Sequence, residues 1–150
     1  MKLKFFSIVA ILASSLALPA SAQFAKPEDA MKYRQSALFV MQQNFSRVAA
    51  MASGKAPFDA KLAAESAAVA AYMGKLPWAA FTPDSDLGNT KAKAEVWSKR
   101  AKFDDLSKQL QAELDKLAVA AKSGNMDAIK ASVGASGKVC KACHDDYRAK

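Results

Sequence analysis

The only two cysteines and the only histidine of this 150-residue chain stand together near its end, as Cys140-Lys141-Ala142-Cys143-His144. On a helix, positions i and i+3 share a face and i+4 lies beside i, so two thiols and an imidazole address one side of a flat partner. That run is the attachment signature of c-type haem. The thiols bond to two vinyl groups, and the imidazole is left beneath the iron as an axial ligand. A disulfide within the helix and a thioredoxin-type redox pair use the same Cys-x-x-Cys spacing. A redox pair belongs with a βαβ unit, and nothing in the chain reads as one. The motif predicts one covalently attached haem c, held by Cys140 and Cys143, with His144 as the iron ligand.

Residues 1–22 read as a leader removed before folding. Met1-Lys2-Leu3-Lys4 is a basic start, Phe5 to Leu18 is apolar but too short to span a bilayer, and Ala20-Ser21-Ala22 is a small-residue cleavage site. The mature chain then begins at Gln23, one domain over residues 23–150, exported to the bacterial periplasm without a membrane anchor. Leader removal takes two lysines and no acid, lowering the formal net charge from +8 to +6. The remaining lysines alternate with acids at helical spacing, which is a solvated surface rather than a nucleic-acid face.

The mature sequence is patterned for helices. The first is predicted to open at Pro27, with Glu28 and Asp29 in its first turn, and to end at Gly54, with Met31, Leu38, Met41, Phe45 and Val48 along one stripe. The second is capped by Asp59, stops at Gly74 and carries Leu62, Val69 and Met73 on one face, while its many alanines permit close packing against a neighbour. From Leu76 to Gly88 the two prolines and the Asp84-Ser85-Asp86 run predict a long non-helical loop. A third helix runs from near Thr90 to Ser123-Gly124, and Asn125 caps a fourth that ends in the haem motif. The fold class expected is all-α, an antiparallel up-down-up-down four-helix bundle with covalently bound haem. In that topology the starts of the first and third helices, the long loop and the end of the fourth meet at one end. Trp78 and Phe81 on the loop, and Arg34 on the first helix, thereby become pocket candidates. For Trp78 and Phe81, plugging the loop and touching the haem are both open.

Four segments carry a family likeness: Gln23-Phe24-Ala25-Lys26-Pro27-Glu28-Asp29-Ala30, Tyr33-Arg34-Gln35-Ser36-Ala37-Leu38, Leu76-Pro77-Trp78-Ala79-Ala80-Phe81, and Cys140 to Arg148. With the haem motif at the C-terminal end, the chain resembles the cytochromes c', the class II c-type cytochromes. The resemblance implies a homodimeric four-helix bundle with five-coordinate iron and a distal face closed by an apolar side chain that matches Leu38. It also implies haem contacts near the propionates at Arg34, Gln35 and Thr90, and an arginine near the proximal face at Arg148. A solvated C-terminal charge is the plain alternative for Arg148.

The sixth position on the iron decides the function. The chain has no second histidine, and leucine cannot ligate iron. Met41, one turn beyond Leu38, is either core filler or a ligand; as a ligand it would give a low-spin electron carrier. An apolar open site without a hydrogen-bond donor disfavours dioxygen and admits nitric oxide and carbon monoxide. No general base, polar acid–base pair or substrate cleft is legible, so turnover catalysis is not expected. The expected function is gas binding, capture or buffering of nitric oxide, with electron transfer as the alternative.

Overall fold

The computed structural model describes residues 23–86 and 88–150; the leader expected over residues 1–22 lies outside them. Pro27 opens α1 (Pro27–Ala52), whose first turn holds Glu28 and Asp29 against the positive end of the helix dipole. Gly54, at φ +75°, turns the chain past its end. The Asp59 carboxylate accepts the Leu62 N–H at 2.9 Å and starts α2 (Ala60–Met73). A single turn, α3 (Glu95–Ser98), precedes α4 (Arg100–Ser123). Gly124, at φ +70°, ends α4, and the Asn125 side chain accepts the Ala128 N–H at 3.0 Å to start α5 (Met126–Tyr147).

α1 packs on α2, α2 on α4 and α4 on α5, while α5 closes back on α1 over much less of its length. This is the expected four-helix bundle, built from α1, α2, α4 and α5. Three walls are long, with 26, 24 and 22 residues in α1, α4 and α5; α2 has 14. The segment after α2 fills the corner that the short helix leaves, and a 3-10 turn at Pro77–Ala80 packs directly on α1.

Three sequence expectations are corrected. The stretch after Gly74 is not wholly irregular, because Pro77–Ala80 forms that 3-10 turn. The third long helix does not begin near Thr90. Lys91–Lys93 are extended and pair with Tyr147–Ala149, and helix resumes only at α3 and then, past a break at Lys99, at α4. The inward face of α2 is not Leu62 and Val69 but Ala63, Ser66, Ala67, Ala70 and Ala71. Those small residues lie at i, i+3, i+4, i+7 and i+8, and they let α1 and α4 approach closely. Gly74 continues the stripe: a Cβ there would lie 2.6 Å from Leu114 Cδ1. Leu62 and Val69 are turned outward with Tyr72.

The core forms two clusters. The larger joins Met41, Val48, Leu110, Leu114, Leu117 and Ile129 with the α2 alanines. The smaller, toward the far ends of α1 and α5, is Phe81, Val96, Phe103 and Tyr147. Leu38 and Trp78 pack against both. No helix among the described residues is long and apolar enough to cross a membrane.

Candidate haem site

α5 delivers Cys140 and Cys143 on its inner face, in line with buried Ser136 and Tyr147. Cys140 packs against the larger cluster and Cys143 against the smaller. The two thiols thus flank the seam that Leu38 and Trp78 also bridge, where α1 and α5 are least in touch. Burial pushes the Cys140 thiol up. Burial, helped by Cys140 and Asp146, pushes Cys143 up to about 11. A thiol oxidoreductase needs the opposite, a depressed thiol pKa, so the redox-pair reading loses its physical support. His144, on the outer side of the same turn, has its imidazole held below the usual histidine range by burial and by Arg148, with Asp145 partly offsetting. A lowered pKa favours the neutral ring, which is the form that binds metal. Lys93, His144, Asp145, Arg148 and Lys150 line one open hollow, which puts Arg148 beside the proposed iron ligand.

On the α1 side, Arg34 is only 2 % exposed, yet its guanidinium has no carboxylate bonded to it. Nη1 donates to Ala80 O at 2.8 Å and Ser85 Oγ at 2.6 Å; Nη2 donates to Ser85 O at 2.6 Å and Thr90 Oγ1 at 3.3 Å. Its plane lies over the Phe81 ring, 4.7 Å from the centroid. Burial lowers its pKa, and Asp86 partly restores it. Gln35 Nε2 donates to Asn89 O at 3.0 Å. Arg34, Gln35 and Thr90 are therefore brought together, as tethers of the 80–90 segment to α1.

Trp78 and Phe81 are stacked at 6.3 Å between centroids, and Phe103 sits edge-on to both. Trp78 Nε1 donates to Gly74 O at 2.6 Å, which fixes the indole over the end of α2. Three contributors were not singled out as site residues from the sequence. Ser85 is the acceptor that organises Arg34, Trp97 donates to Thr82 O at 2.8 Å, and Tyr147 closes the aromatic set on Phe103. Ser85 had only a loop-forming composition to signal it. At Gly134 and Gly137 an added Cβ meets nothing within 4 Å, so no close approach of protein requires either glycine.

These residues fit a c-type haem. Two half-buried thiols lie one turn apart, the His144 imidazole follows, and beside them α1 and α5 pack least closely of the bundle walls. A buried cation without a carboxylate suits a ligand that carries acid groups. The site and fold define a helical-bundle haem protein. The family model described as Cytochrome C' matches residues 29–148. The cytochrome c' of Rubrivivax gelatinosus is 50 % identical over 129 residues, covering 85 % of this chain and all of the relative. That of Alcaligenes xylosoxydans is 44 % identical over 128 residues, covering 85 % and 99 %. Among solved structures, Rubrivivax gelatinosus cytochrome c' superposes with a TM-score of 0.82 over 85 % of this chain and all of that one. A nitric oxide complex of a variant cytochrome c' from Alcaligenes xylosoxidans, 43 % identical, covers 85 % and 99 % with a TM-score of 0.78. The chain belongs to the cytochrome c' family. Its cofactor is haem c, covalently attached, and its two cysteines fit that mode of binding.

Proposed function

We propose that this chain is a periplasmic gas-binding cytochrome c' that captures or buffers nitric oxide and also takes carbon monoxide. Cys140 and Cys143 form the thioether links, and His144 is the axial ligand. Haem c held by these residues would supply an iron able to bind a diatomic gas. The observation that carries the reading is Leu38, which packs against both core clusters flanking the cysteines and has no atom that can ligate or donate a hydrogen bond. Its bulk excludes larger ligands, and a gas displaces a packed side chain to enter. A nitric oxide complex formed by a leucine-to-alanine variant of a relative of 43 % identity supports the choice of gas. Met41 is buried among Val48, Leu110 and Leu114, which supports the filler role and leaves the electron-carrier alternative without a favouring contact. Arg34, Gln35 and Thr90 would hold the acid groups of the haem, Trp78 and Phe81 would wall the pocket, and Arg148 would stand beside His144. Binding, not turnover, is the activity. The test is carbon monoxide association to the reduced protein. Wild type is high-spin and binds slowly, Leu38→Ala binds at least tenfold faster, and Leu38→Met turns low-spin. An unchanged rate in Leu38→Ala would remove Leu38 as the gate.

The leader over residues 1–22 directs export, and the mature chain starts at Gln23. Two copies associate through the outer faces of α1 and α2. Phe39 is 61 % exposed and Tyr72 67 %, and Val40, Phe58, Leu62 and Val69 are also exposed, more large apolar side chains than a monomer presents without purpose. The expected outcome in sedimentation is a dimer for wild type and a monomer for Val69→Lys with Tyr72→Lys; a monomeric wild type sinks this assignment.

A further inference from the structure

Every α-helix ends with four carbonyls that no amide of its own helix can reach. In α5 these belong to His144, Asp145, Asp146 and Tyr147. The Arg148 N–H takes the first at 3.2 Å. Lys93 alone takes the other three. Its ammonium donates to Asp145 O at 3.0 Å and to Asp146 O at 3.4 Å, and its backbone N–H donates to Tyr147 O at 2.9 Å. A cation at that position also opposes the negative end of the helix dipole. Lys93 is itself held on both sides. The Ala149 N–H donates to Lys91 O at 2.8 Å, and Thr90 Oγ1 accepts from the Ala92 N–H at 3.1 Å and from Arg34 Nη2 at 3.3 Å. The strap 90–93 therefore runs from the buried arginine of α1 to the last turn of α5.

We infer that Lys93 is a positioning residue for the iron ligand: it clamps, from outside α5, the helical turn that carries His144, and so fixes the direction and strength of the imidazole's bond to iron. The inference rests on His144 being that ligand, as proposed above, and adds what holds it in place. Without the ammonium, the carbonyls of Asp145 and Asp146 turn to water and the last turn frays. The imidazole then keeps its nitrogen lone pair but loses the rigid backbone that aims it. Lys102 supplies the contrast. It pairs with the Asp146 carboxylate at 2.7 Å, bringing the same charge to the same turn without touching a backbone carbonyl.

The test compares reduced haem-loaded wild type with Lys93→Met, Lys93→Arg and Lys102→Met, by amide hydrogen exchange over residues 142–150 and by the iron–histidine stretching band. In Lys93→Met, exchange of the Arg148 and Ala149 amides rises about 5- to 30-fold, the range that the loss of one or two hydrogen bonds produces. The band broadens and falls in frequency. Lys93→Arg, which keeps charge and donors, restores both readouts, and Lys102→Met leaves both unchanged. Unchanged exchange in Lys93→Met overturns the inference, as does faster exchange with an unaltered band. A wild type with no iron–histidine band overturns both the inference and its parent reading. A wild type that has the band but binds no carbon monoxide sinks only the gas reading.

Discussion

The two ends of the bundle are built by different rules. At the closed end, where α1 meets α2 and α4 meets α5, every turn is secured by residues a few positions apart. Asp59 caps onto Leu62, Asn125 onto Ala128, and Gly54 and Gly124 supply the left-handed backbone. At the haem end the bonds reach across the chain. Arg34 finds acceptors 46 to 56 residues away, and Trp97, Arg100 and Lys93 donate to the carbonyls of Thr82, Phe81 and the α5 terminus. Aromatic rings fill the space between those bonds. The closed end needs only local propensity, whereas the haem end exists only once all its pieces are together. The end that carries the chemistry is therefore the more cooperative one, and single changes there should cost more.

Arg34→Met is the strongest attempt to break that contrast. It deletes four donated bonds from a buried cation and the stacking on Phe81, and it frees Ser85 and Thr90. Bonds to a charged group contribute about 1.5–3 kcal/mol each, and they do not add. The expected loss is roughly 3 kcal/mol or more, measured by urea unfolding of the haem-loaded protein at constant m-value. A loss under about 1 kcal/mol would mean that the haem end is not organised through this residue.

The same contrast separates what was legible in the sequence from what was not. Pro27, Gly54, Asp59, Gly74, Gly124 and Asn125 marked helix ends correctly because capping is decided within one turn of chain. The Cys140–Cys143 pair was legible because helix geometry alone puts two thiols one turn apart on one face, whereas His144 follows on the outer side of the turn. The start of α4 was not. Trp97 is apolar and lies nearly two turns before Phe103, so periodicity carried the helix back toward Thr90, while the backbone of Lys91–Lys93 was in fact claimed by Tyr147–Ala149. The inward face of α2 was misread for another reason. Leu62 and Val69 outrank alanine in hydrophobicity, but burial follows fit: α2 turns its small residues inward, and of the expected stripe only Met73 packs on the core. Lys93 gave no signal at all, since a lysine in a loop does not reveal that three carbonyls wait for it.

Gly74→Ala sharpens the comparison at the boundary between the two regions. The glycine has ordinary helical φ, so the substitution gains helix propensity, yet the new Cβ meets Leu114 Cδ1 at 2.6 Å. Overpacking of this kind costs about 1–3 kcal/mol. The Gly74→Ala, Leu114→Ala double variant gives the decisive reading. If the clash is the cause, the double variant is more stable than the sum of the two single changes predicts, by at least about 0.5 kcal/mol. Strict additivity would place the cause elsewhere in the turn.

Gly124→Ala measures the closed end by itself and should give the smallest effect. Its φ of +70° disfavours any residue with a Cβ, but an added Cβ meets nothing within 4 Å, so backbone strain is the whole cost. Left-handed backbone costs an ordinary residue roughly 1–2 kcal/mol. Alanine returns about 0.4–1 kcal/mol by restricting the unfolded chain. The net expectation is a loss of about 0.5–1 kcal/mol, with the haem spectrum and the carbon monoxide rate unchanged. Gly124→Asn tests the cause, because asparagine tolerates the left-handed region and should recover part of the loss. A shift in the haem spectrum with Gly124→Ala would show that strain at the closed end travels the length of α5 to His144. The two ends would then be one unit, and the contrast between local and long-range construction would fail.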